Sequence, residues 1–138
     1  MAYELYGYQK EIIYKVWHEF AHGKKAVMVV SPAGSGKSVI ISDIIKTLTD
    51  EKKYVYFMVH RMELVEQIRA DLIASDVNMD YVTVTSVIKL KNRLGKLPDP
   101  YMIVTDETHH SKANSYMEIY KYYDKALRLG FTATPVRL

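Results

Sequence analysis

Two apolar patterns alternate along this chain. From Tyr8 to His22 the apolar residues Ile12, Ile13, Val16, Trp17 and Phe20 recur at helical spacing, and Gly23 stops the pattern. Ala26 to Val30, AVMVV, has no polar member, as a strand covered on both faces requires. Helical spacing returns from Lys37 to about Asp50, and Tyr54 to Val59 is a second unbroken apolar run. Arg61 to Ser75 predicts a helix with Leu64, Val65, Ile68 and Leu72 on one side. Tyr81 to Thr85 predicts a third strand and Ser86 to Leu94 a short helix, with a turn over 95–100. Tyr101 to Thr105 and Ala126 to Phe131 predict two more strands, separated by a helix from Asn114 to Tyr123. Fully apolar strands alternating with helices predict an α/β fold. It is a three-layer sandwich, a mostly parallel sheet of five or more strands with helices on both faces.

Composition narrows this picture modestly. The 138 residues bound the chain to one domain with a real core, and 49% apolar with 25% charged residues is ordinary globular composition. There are no cysteines, which removes disulfides and thiolate metal sites. No apolar run approaches the roughly 18 residues of a membrane span, and the N-terminus lacks the layout of a signal peptide, so a cytoplasmic location is expected. A net charge of +3 permits nucleic-acid binding without arguing for it.

Chemistry concentrates where the strands end. Between the first strand and its helix stands SPAGSGKS, Ser31 to Ser38. Strand, glycine-rich turn, Lys-Ser and helix are the parts of a phosphate-binding loop. Glycines at 34 and 36 let backbone N–H groups turn toward an anion, and the helix start adds its own free N–H groups and dipole. Ala33, Gly34, Ser35 and Gly36 are then the cradle, Lys37 reaches the β- and γ-phosphates, and the Ser38 hydroxyl holds Mg2+. The usual pattern opens on Gly where Ser31 stands. Asp106 and Glu107 end the fourth strand; Asp106 suits the Mg2+ and Glu107 suits polarising the attacking water. A solvated acidic pair opening a loop is the plain alternative. His109 and His110 invite a zinc reading, but successive side chains diverge and no Cys supports it. Gln9, before the loop, can pair with an adenine edge, and Tyr6 or Tyr8 can stack on a base; an exposed helix-start Gln is the competing reading. His60-Arg61 and Thr85-Ser86, at two further strand ends, suit backbone phosphates, with helix capping as the alternative for Thr85 and Ser86. The tyrosine-rich helix carrying Tyr116, Tyr120, Tyr122 and Tyr123 is expected at a domain interface.

Together these segments resemble the first RecA-like domain of superfamily-two helicases, closest to the DEAH-type and restriction-enzyme-like branch. Tyr8-Gln9 resembles the Q motif, SPAGSGKS motif I, and VHRMELVEQ from Val59 motif Ia. VTVTSV from Val82 is similar to motif Ib, DETHH from Asp106 to motif II with Thr108 in place of Ala, and TATP from Thr132 to motif III. The resemblance implies ATP bound by Gln9, Tyr6 and the loop, Mg2+ through Ser38 and Asp106, and hydrolysis promoted by Glu107 and Lys37. It implies that His109, Thr132 and Thr134 couple hydrolysis to movement, and that His60, Arg61, Thr85 and Ser86 face nucleic acid, DNA rather than RNA. The second RecA-like domain of that family, with its arginine finger, is not in this sequence. The expectation is the ATP-binding half of a helicase or translocase, poorly active alone and needing a second domain in cis or in trans. The competing expectation is a binding module that holds nucleotide or nucleic acid to recruit a partner without turnover. A small P-loop kinase does not account for TATP and His60-Arg61 together.

Overall fold

The apolar runs become the strands of one sheet in the computed structural model, which describes residues 7–30, 36–59, 61–106 and 114–132. The strands are β1 (Ala26–Val30), β2 (Val55–Val59), β3 (Val82–Ser86), β4 (Met102–Asp106) and β5 (Leu127–Thr132). They lie in the order β1-β5-β4-β2-β3, and all four ladders are parallel. The helices between them are α1 (Gly7–Ala21), α2 (Lys37–Asp50), α3 (Glu63–Ala74), α4 (Val87–Lys91) and α5 (Asn114–Tyr122). A parallel sheet needs a crossover at every connection, and those crossovers supply the outer layers of the α/β sandwich.

Alternation along the strands decides which helix covers which face. Val29, Phe57, Val104 and Phe131 point to one side, where they pack with Ile40, Ile44 and Leu48 of α2, Val65 and Leu72 of α3, and Val16 of α1. Tyr56, Met58 and Ile103 point to the other, against Leu90 of α4 and Tyr116, Ile119 and Tyr120 of α5. The chain runs β1 to β2 to β3 under α2 and α3, then returns through β4 to β5 under α4 and α5. Reversing direction and face together keeps every crossover of one hand. The second face is only partly covered: Met28 and Val30 of β1 remain exposed on it.

Tyr116, Tyr120 and Tyr123 are buried in this second core rather than displayed at an interface. Tyr56 explains part of the clustering. Its ring meets Tyr123 edge-on at 5.4 Å, its hydroxyl donates to the Pro98 carbonyl, and burial pushes its phenol well above the ordinary tyrosine range. Of the four tyrosines of that segment, Tyr122 alone is exposed.

Local chemistry sets the element ends. Ser86 closes β3 and its hydroxyl accepts from the Lys89 N–H at 3.2 Å, so α4 starts at Val87 and is shorter than the apolar pattern predicts. Gly36 precedes α2 with φ +81°, a conformation that disfavours a side chain. Gln9 of α1 is 2% exposed, and its amide donates to the Gly36 carbonyl at 3.3 Å. A Cβ on Gly36 would collide with that same amide nitrogen. The first helix thus buttresses the start of the second. Asp43 on α2 is half-buried, and burial raises its carboxyl above the usual range, partly offset by Lys46.

Two outcomes follow. Gly36→Ala combines an unfavourable φ with a steric conflict and is expected to destabilise the fold by roughly 1–3 kcal/mol, read from urea denaturation; an unchanged midpoint contradicts the buttress. A carboxyl whose pKa is raised by folding weakens the fold once it is ionised in both states, and that penalty fades as pH falls below the folded-state pKa. Asp43→Asn is therefore expected to raise the melting temperature at pH 7, with the gain shrinking on acidification; a loss at pH 7 contradicts it.

Candidate functional site

The carboxyl ends of a parallel sheet are where helix starts, loops and strand-terminal side chains converge. Val30 of β1 lies in register with Thr132 of β5, and Phe131 of β5 with Asp106 of β4. The three strand ends β1, β5 and β4 are therefore neighbours, with Thr132 buried in the middle one. α2 begins beside them with Lys37 and Ser38 as its first residues.

Lys37 reaches across this rim. Its Nζ donates to both Asp106 carboxylate oxygens, at 3.0 and 3.1 Å, with the two side chains 22% and 26% exposed. Sequestering the pair from most of the solvent strengthens it relative to a surface ion pair. Beside it is a cavity of about 40 Å3 lined by Lys37, Ser38, Asp71 and Asp106 over an apolar floor that includes Phe57 and Leu72. It has room for a water molecule or an ion. A nucleotide needs a pocket of roughly 300 Å3 or more, so this cavity by itself is too small to enclose one.

Several groups named from the sequence meet at this rim. Gly36, Lys37, Ser38 and Asp106 are together, and Gln9 joins them through Gly36 rather than standing exposed at its helix start. Arg61 lies on the surface before α3 and pairs with Glu63 at 3.5 Å, an exposed contact of little energetic weight. Thr85 and Ser86 are buried, and Ser86 has the capping role. Tyr6, Ala33, Gly34, Ser35, His60, Glu107, His109, His110 and Thr134 lie outside the described residues.

Asp71 is the addition that sequence reasoning missed. It sits three residues after Ile68 and one before Leu72, so it belongs to the inward stripe of α3. An acid in that stripe was the available signal, hidden because α3 also carries acids on its outer side.

A larger hollow of about 700 Å3 opens at the opposite end of the sheet. It is bounded by Lys53, Tyr54, Tyr81 and Tyr101, just before β2, β3 and β4. It brings tyrosine rings and lysines together with Asp80 and Asp99, and Lys53 stands 4.4 Å over the Tyr101 ring. The smaller cavity lies instead at the carboxyl ends of the strands, beside the glycine-led start of α2, which is why the chemistry points to it. Among the described residues no group of three or more His, Cys, Asp or Glu is placed to hold a metal by itself, and no helix is long and apolar enough to cross a membrane.

Comparison with known proteins bears on the family and the fold. The family described as "Type III restriction enzyme, res subunit" matches residues 2–95 and 74–137. A "51.5 kDa protein" of Lactococcus phage (isolate 7-9) is 49% identical over 111 residues, which is 80% of this chain and 25% of that protein. A Schizosaccharomyces pombe protein, assigned by its name as a mitochondrial ATP-dependent helicase, irc3, is 30% identical over 99% of this chain and 27% of its own length. The chain thus spans about a quarter of each of these curated relatives. Among solved structures, a nuclease-deletion mutant of the Type ISP restriction-modification enzyme LlaGI in complex with a DNA substrate mimic superposes with a TM-score of 0.75. The match is at 15% identity and covers 99% of this chain and 18% of that one. At that identity the likeness concerns the fold alone. The sheet order, the glycine-led helix start facing a strand-end acid and the family match over nearly the whole sequence have one reading: this chain belongs to the type III restriction enzyme res-subunit family and is a first RecA-like, helicase-type domain of superfamily two.

Proposed function

We propose that this domain binds Mg-ATP at the rim between β1 and β4. In this reading it contributes the ATP-binding half of a nucleic-acid-dependent helicase or translocase that acts on DNA. The observation that carries the reading is the meeting of Lys37 with both oxygens of Asp106 beside Ser38. An ammonium, a hydroxyl and a carboxylate at a helix start are what a triphosphate and a divalent cation require.

The donor set fits Mg2+. Ser38 and Asp106 offer hard oxygen atoms on one small cavity, with no imidazole or thiolate among its lining residues, and Mg2+ favours a few oxygen ligands completed by water and phosphate. Bound there, the cation would supply positive charge to offset that of the phosphate oxygens. The remaining work falls to the protein. Backbone N–H groups at the start of α2 and the loop ahead of it hold the phosphates. Lys37 exchanges Asp106 for a terminal phosphate oxygen. Glu107, next in the chain, orients the attacking water and accepts its proton. Gln9, fixed against Gly36, stands where it links the base-binding side to the loop. Thr132, in the ladder between β1 and the Asp106 strand, is the relay to movement together with His109 and Thr134.

A second RecA-like domain, in cis or in trans, closes the cleft in this reading and brings the arginine that completes it. The greater length of the relatives, of which the match covers about a quarter, the helicase name of one and the DNA mimic bound to LlaGI support this half-motor on DNA. Arg61, exposed before α3, contacts the nucleic-acid backbone in this reading, with His60 beside it in the chain. Ser86 contributes from beneath by capping α4, and Thr85 is buried in the strand before it.

Lys37→Ala is expected to weaken Mg-ATP binding by about 1.5–3 kcal/mol, the range for a hydrogen bond to a charged group. Isothermal calorimetry reads it, and equal affinity contradicts the phosphate role of this loop. DNA affinity of the whole motor is expected to fall log-linearly with salt, and Arg61→Ala to make that slope shallower by about one; an unaltered slope removes Arg61 from the interface.

A further inference from the structure

The chain also carries His18-Glu-Phe-Ala-His22, the His-Glu-x-x-His spacing that puts two imidazoles on one face of a helix. It falls at the end of α1, with His18 in the last turn and His22 one residue beyond Ala21. Both histidines are exposed. Their rings are stacked, with centroids 4.0 Å apart and planes inclined by 26°. Tyr14, one turn earlier, stands 6.0 Å from the His18 ring and extends the same stripe. The His22 ring is also oriented by the backbone. Its Nδ1 is 2.8 Å from the His18 carbonyl, and because a carbonyl only accepts, that nitrogen carries the proton and donates. The lone pair of the neutral ring is thereby left on Nε2. One ring nitrogen donating to a carbonyl while the other keeps its lone pair is how proteins orient a metal-binding histidine. Capping of the helix end accounts for this hydrogen bond but gives no reason for a second imidazole stacked on the first.

We propose that His18 and His22 form a surface site for a borderline divalent transition-metal ion of the Zn2+, Ni2+ or Cu2+ class, which staples the last turn of α1. Imidazole nitrogen suits these ions, whereas Mg2+ takes oxygen. Zinc–nitrogen bonds of about 2.0–2.1 Å set two ligand nitrogens roughly 3.0–3.4 Å apart. Stacked rings at 4.0 Å reach that separation by a small change of side-chain angle. Two imidazoles leave the remaining coordination positions to water. The peptidase chemistry associated with this spacing does not follow. It needs a third protein ligand, and among the described residues no three His, Cys, Asp or Glu are grouped to hold a metal. The site is separate from the rim read above as the nucleotide site. A rise of about 1.5 Å per residue puts His18 roughly 14 Å along α1 from Gln9, which meets Gly36 at that rim.

Zn2+ is titrated calorimetrically into the protein at neutral pH with Mg2+ in large excess, so that sites built from oxygen ligands are already filled. One saturable Zn2+ is expected, with the imidazole C–H resonances of His18 and His22 shifting in NMR spectra. An ion that binds the folded helix in preference to the unfolded chain also raises the melting temperature as its concentration rises. His18→Gln and His22→Gln, each checked for folding by circular dichroism, are each expected to lose at least the roughly tenfold in affinity that even an outer partner of a metal ligand costs. No saturable binding, full affinity in either folded variant, or shifts confined to other histidines such as the His109-His110 pair overturns the site.

Discussion

Lys37 and Asp106 are 69 residues apart in the chain and 3.0 Å apart in space. Everything about the site depends on closing that gap. The closure is the work of the sheet, since β5 lies between β1 and β4 and sets the distance between their carboxyl ends. Registers of Val30 with Thr132 and of Asp106 with Phe131 leave the start of α2 and the end of β4 separated by one strand. A lysine side chain spans such a gap; a shorter side chain does not.

The core enforces this spacing because it is packed from both sides where it matters. Phe131 and Val104, beneath the site, are fully buried with Ile40 and Ile44 of α2, the helix that presents Lys37 and Ser38. Shifting β5 by one residue would exchange its two faces and expose Phe131. Burial thus fixes register, and register fixes the distance between the charges. On the other side of α2, Gln9 and Gly36 hold the helix start from α1. The site is set by three constraints from three elements, none of which touches a ligand through its apolar part.

Much of this was legible in the sequence because parallel strands leave an unusually clear trace. AVMVV at 26–30 and the run ending at Val59 are apolar without interruption, and β1 and α2 begin and end where the pattern puts them. Motif spacing brought Lys37, Ser38 and Asp106 into one proposal, and the geometry unites them. What was not legible depends on neighbours. Nothing local in Ser86 distinguishes a helix cap from a ligand contact; the difference is that its hydroxyl meets the Lys89 N–H. The tyrosines of α5 look amphipathic in isolation, yet Tyr116 and Tyr120 are buried because the opposite face of β2 offers Tyr56 and Met58 to cover. Asp71 escaped notice because its inward direction is a property of α3 against α2 and β2. Strand order was equally hidden, since chain order says nothing of β5 inserting between β1 and β4.

The central claim is that one divalent cation is shared by Ser38 and Asp106 against a triphosphate. Anomalous diffraction from crystals grown with Mn2+ and a non-hydrolysable ATP analogue tests it most directly. The account predicts a single strong peak between the Ser38 hydroxyl and the Asp106 carboxylate, in contact with phosphate oxygens, with the Lys37 amine moved off Asp106 onto the phosphate. A nucleotide bound at the opposite end of the sheet, or a manganese peak away from both residues with Lys37 still on Asp106, would contradict it.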